Sequence, residues 1–212
     1  MLAYDDAKIV NKASALITLS KLDSAKILLD EVISRTPDNY SNDYFFENKH
    51  YIEFWDADEL RSYFELSRDS TIYAIQNAYS RARFWIAWIY FEEGEIQKAH
   101  DEIYEAYKLE PDHPTILCYI ALTIPEVPFR LALYKRALIS REYITPRQKA
   151  RTYRGLGTNY VEMGDLEMAK NFLITSLKYE NNQVAVRELE YIENIIKGGD
   201  KGEMKIVRPD TL

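Results

Sequence analysis

A chain of 212 residues, 47% apolar and 29% charged, has the composition of a globular protein and the length for one domain or an extended array. Its 27 Lys and Arg against 34 Asp and Glu leave a formal charge of −7 with no basic block, so nucleic acid is not an expected partner. Cys118 is the only cysteine, which excludes an internal disulfide and a cysteine-based zinc site, and seven Gly and seven Pro are few for a protein built of tight β-turns.

The first residues, "MLAYDDAKIV", carry acids where a secretory leader needs a basic segment. Within residues 6–39, Ala13, Leu16, Ala25, Leu29 and Pro37 recur at helical spacing and predict two antiparallel helices. Residues 40–79 are aromatic-rich and predict a degenerate helical pair, with Asp56 and Glu59 as a capping box. The apolar run "FWIAWIYF" at 84–91 is far short of the ~20 residues that span a membrane. It predicts a helix buried on most of its circumference, turned at Gly94, with "EIQKAHDEIYEAYKLEP" at 95–111 as partner, ended by Pro111. No membrane insertion and a cytoplasmic location are expected.

Residues 114–146 predict a second degenerate pair, connected through "TIPEVPF", because two prolines do not sit inside a helix. Thr145-Pro146 opens the next helix as N-cap and first-turn residue. In residues 150–183, Gly157, Tyr160, Gly164 and Ala169 stand 70 residues after Ala87, Tyr90, Gly94 and Ala99. Ala185, Leu189, Ile192 and Ile196 form one stripe on a polar helix over 184–197, as a capping helix needs. Residues 198–212 read as a flexible tail.

In three segments the small residues lie twelve apart: Ala13 to Ala25, Ala87 to Ala99 and Gly157 to Ala169. Small residues on facing helices let the two backbones approach closely. The 70-residue shift is about twice 34, and residues 150–183 resemble the tetratricopeptide repeat through Tyr153, Leu156, Gly157, Tyr160, Ala169 and Leu173. Residues 80–113 resemble it through Ile86, Ala87, Tyr90, Ala99, Ile103, Ala106 and Pro111, and residues 6–39 repeat the spacing. The resemblance implies an all-α solenoid of antiparallel helix-turn-helix units, about nine to twelve helices in all.

No catalytic constellation emerges, so no enzyme activity, cofactor or metal is expected. His50 and Glu53 would lie one helical turn apart without further ligands, Cys118 sits in the apolar "TILCYIAL", and the glycines of "RGLGTNY" belong to a helix, not a phosphate loop. The family resemblance implies that the concave face, lined by the first helix of each pair, holds a peptide or a partner's helix. Helical offsets put Arg81, Phe84, Trp88 and Phe91 on that face, then Thr115, Tyr119 and Leu122, then Arg151, Arg154, Thr158 and Val161. The expected peptide-binding residues are Arg81, Phe84, Trp88, Tyr119, Arg151, Arg154 and Thr158, suited to an acidic or carboxylate-bearing peptide. A protein-binding adaptor is the first expectation. A structural subunit that self-associates as a homodimer through the aromatic region 40–91 is the second.

Overall fold

The computed structural model describes residues 2–67 and 71–198, with side chains from residue 5 onward. Helices α1 (Leu2–Thr18) and α2 (Leu22–Ile33) form the first antiparallel pair. Helices α4 (Tyr79–Glu92) and α5 (Ile96–Leu109), α6 (Pro114–Thr123) and α7 (Val127–Ala137), and α8 (Pro146–Glu162) and α9 (Leu166–Tyr179) form three more. Helix α10 (Gln183–Ile196) packs on α9, burying Ala185 and Ile192 while Ile196 stays exposed. Each pair also packs on the next, α2 on α4, α5 on α6 and α7 on α8, which is the nearest-neighbour contact pattern of a solenoid.

The twelve-residue spacing marks real helix contacts. Ala13, Ala25, Ala87, Ala99 and Ala169 are all buried. At Gly157 a Cβ would sit 2.9 Å from Leu173 Cγ and 3.2 Å from the Ala169 carbonyl oxygen, so α8 and α9 touch nearly backbone to backbone. Gly94 and Gly164 hold the left-handed turn after the first helix of their pairs, at φ +78° and +80°. Thr145 caps α8 in a reciprocal box: its hydroxyl accepts from Gln148 N, and the Gln148 side chain accepts from Thr145 N. The α6–α7 connection is shorter than expected, because Pro128 sits inside the first turn of α7, where its missing N–H costs nothing.

Residues 40–79 correct the helical expectation. They contain a three-stranded sheet, β1 (Asp43–Phe46), β2 (Lys49–Phe54) and β3 (Tyr73–Gln76), in that order. β1 and β2 are antiparallel with Tyr44 opposite Tyr51 and Phe46 opposite Lys49. Glu47 and Asn48 both adopt positive φ, the two-residue hairpin turn that matches strand twist. β3 runs parallel to β2, with α3 (Ala57–Ser67) in the crossover. Ile52, Phe54 and Ile72 form a small core against Leu60, Tyr63 and Tyr143. Asp56 does cap α3, accepting from Asp58 N and Glu59 N, but Glu59 reaches back to Trp55 N instead of closing the box on Asp56.

His50 and Glu53 are on a strand, three positions apart and so on opposite faces. His50 bonds Asp43 and Glu53 bonds Tyr40. Among the described residues no group of three or more His, Cys, Asp or Glu could hold a metal ion, and no helix is long and apolar enough to cross a membrane. The tail expected from residue 198 lies, beyond that residue, outside the described part.

Candidate functional site

In the insertion β3 packs on α1, while Trp55 and Glu59 reach the first helices of the central pairs through a contact that is polar and deeply buried. Trp55, at the end of β2, stacks on His113 with ring centroids 3.8 Å apart and tilts against Phe84 at 5.1 Å. Its indole N–H donates toward Ser80 Oγ and Glu110 Oε1. Glu59 accepts from Trp55 N at 2.8 Å and Gln148 Nε2 at 2.6 Å, and faces His113 Nε2 at 2.7 Å. Glu110 takes Arg141 Nη2 at 2.6 Å and also accepts from Asn77 and Ser80. Burial opposes ionisation of Glu59, but His113, Arg141 and the Trp55 amide together hold its carboxyl below the usual carboxylate range. Glu59 thus ties the insertion to the α5–α6 turn and to α8, and the Trp55 indole ties it to α4 through Ser80.

Between the insertion and helices α4, α6 and α8 remains a cavity of about 120 Å³. Asp56, Asp58 and Glu59 line one wall, Arg81, Arg147 and Arg151 the other, with Phe84 and Trp85 at its base. Three of the expected peptide-binding residues thus meet here: Arg81, Phe84 and Arg151. Tyr119 lies behind them, edge-on to Phe84 at 4.7 Å and 5.6 Å from the Arg151 guanidinium. Trp88, Arg154 and Thr158 do not line the cavity.

The concave face is less open than helical offsets suggest. Arg81, Phe84, Trp88, Tyr119 and Arg154 are buried, while Arg151 and Thr158 are half-buried. Arg81 is spent internally, donating to the Asn77 carbonyl and to Asn11 Oδ1. Burial lowers its pKa to about 10, against the pull of Asp56, Glu59 and Glu110. Thr158 bonds the Arg154 carbonyl within its own helix. Arg151 differs: its guanidinium lies over the Tyr119 ring and has no carboxylate partner among the described residues. Trp55, Asp58, Arg147 and Gln148 had no periodic signature, since none repeats between pairs. The one available signal was a tryptophan followed by acids, "WDADE", in an otherwise undefined stretch.

The fold is that of a helical-repeat protein with an inserted β-element on its inner face. The tetratricopeptide repeat family model matches residues 80–113 and 150–183, so the α4–α5 and α8–α9 pairs are tetratricopeptide repeats. Similar solved structures agree on the fold. PilF of Pseudomonas aeruginosa superposes with a TM-score of 0.63 at 15% identity, over 92% of this chain and 71% of that one. TTC0263, a thermophilic tetratricopeptide repeat protein from Thermus thermophilus, gives 0.59 at 14% identity, over 91% and 83%. No curated protein matches the sequence.

Proposed function

We propose that the chain is a non-catalytic protein-binding module whose inner face takes an acidic or carboxylate-bearing segment of a partner. The observation that carries this reading is Arg151. A half-buried guanidinium stacked on Tyr119, with no carboxylate partner among the described residues, is a preoriented fork for a carboxylate. Phe84, Trp85 and Tyr119 give it an aromatic wall that limits water and strengthens the pair. The insertion narrows this face, so the segment engaged is short and enters beside Arg147 and Arg151.

The test is an array of acidic, neutral and basic peptides probed with wild-type protein and with Arg151→Glu. Wild type should select acidic peptides, more weakly at high salt. The reversal should weaken them by ~2 kcal/mol with helix content unchanged. Equal capture by the two proteins would place the function elsewhere. Self-association through residues 40–91 is a second reading, supported by Phe45, Phe46 and Tyr73, which are 74%, 59% and 47% exposed. Light scattering of wild type and of Phe45→Ser decides it.

A further inference from the structure

A second recess lies on the other side of the insertion, between the sheet and the chain that leaves α2. It is a cleft of about 460 Å³, walled by Tyr40, Tyr44, Phe46 and Tyr79, with Arg35 at its edge and Glu53 lining it from below. Tyr40 and Tyr79 meet edge to face at 5.3 Å, and Tyr44 stacks on Tyr51 at 5.4 Å, so the aromatic wall is braced on both sides.

Glu53 is the unusual member. It is 2% exposed and lines the cleft, yet no cation among the described residues pairs with it. Its Oε2 accepts from Tyr40 OH at 2.9 Å, and its Oε1 accepts nothing among the described residues. Behind Tyr40 the chain of bonds runs through Asn77 to Glu110, a second carboxylate, and the cation there, Arg141, pairs with Glu110 and not with Glu53. Arg35 is already committed to Asp6 and Glu31, and Tyr79 OH donates to Asp6. Lys49, on the same sheet, lies over Tyr73. A buried carboxylate without a counter-cation is costly unless a cation arrives or the group takes a proton.

We propose that this cleft binds an ammonium group, presented as a lysine side chain by a partner polypeptide. The ammonium pairs with Glu53 Oε1 while Tyr40, Tyr44, Phe46 and Tyr79 enclose the alkyl stem and face the charge. The net charge of −7 favours approach of a basic segment. Burial, reinforced by the charge on Glu110, pushes the Glu53 carboxyl up to about 7. The site therefore gains affinity as pH rises and Glu53 ionises, a range in which lysine stays charged.

The test is calorimetric titration of the full chain with a capped peptide bearing one central lysine, and separately with n-butylammonium, at about pH 6 and about pH 8. The lysine peptide should bind at the higher pH and lose roughly tenfold at the lower. Glu53→Gln should bind at least ~10-fold more weakly and without pH dependence, and Phe46→Ala several-fold more weakly. Arg151→Glu should leave this titration unchanged, which separates it from the acidic-peptide reading. If n-butylammonium binds as tightly as the peptide, a partner polypeptide is overturned as the source. If neither binds, or Glu53→Gln binds like wild type, the ammonium site itself is overturned.

Discussion

Two glycines in α8 set how closely its neighbours approach. A Cβ on Gly155 would sit 2.3 Å from the Tyr134 ring, and one on Gly157 would press on Leu173. Tyr134 is buried and cannot swing aside, so Gly155→Ala should cost ~1–3 kcal/mol despite its better helix propensity. Ala169→Leu should cost as much, because Ala169 is fully buried where α8 and α9 are closest. Urea titration measures both, and a wild-type midpoint for either would mean that the helices can part. The α1–α2 turn offers the opposite change. Ser20 there has φ +58°, where the later turns have glycine, so Ser20→Gly should raise stability by ~0.5–1 kcal/mol. Gly157 and Ala169 were legible because their contact lies inside one repeat and recurs. Gly155 was not, because its partner Tyr134 belongs to the preceding pair and no spacing connects them.

At the scale of elements, the misread stretch is 43–54. "DYFF" and "KHYIEF" flank "EN", and both are rich in the aromatic and β-branched residues of strands. Long aromatic runs fit either period, and the helical surroundings favoured the wrong one. The strands matter because they bury Glu53. In an unfolded chain this carboxyl titrates near its ordinary 4.5, whereas in the fold it keeps its proton to about pH 7. Its contribution to stability is therefore complete below about pH 4.5 and is lost as pH rises through 7. The loss is roughly 3 kcal/mol at most. Glu59 acts in the other direction: its carboxyl is held down by His113 and Arg141, so its contribution is lost as pH falls. Unfolding free energy should thus decline between about pH 5 and about pH 8, and Glu53→Gln should flatten that decline. A wild-type profile that rises over the same interval would contradict the burial of an unpaired carboxyl.

Over the whole molecule the core is divided. One cluster joins α1, α2, α4, α5 and α6, a second joins α6, α7 and α8, a third joins α9 and α10, and the sheet has its own small core. The helical part of this plan was legible, since periodicity reports what repeats. The docking of the insertion was not, because Trp55 with Glu59, Glu110, Arg141 and Gln148 come from four separate places and meet once. Trp55 is the hinge of that docking, belonging to the first core cluster by burial and to the sheet by sequence. Trp55→Ala would remove its stack on His113 and its contact with Phe84, and leave Glu110 short of a donor. The cost should be about 3–5 kcal/mol. In a solenoid such a loss is transmitted chiefly to neighbours. Amide exchange should accordingly rise across β2, α3 and the start of α4, while α9 and α10 keep wild-type protection. Uniform acceleration along the chain would mean that the cores unfold as one unit. Unchanged exchange in β2 and α3 would mean that the sheet is held by contacts other than the buried polar cluster beneath Trp55.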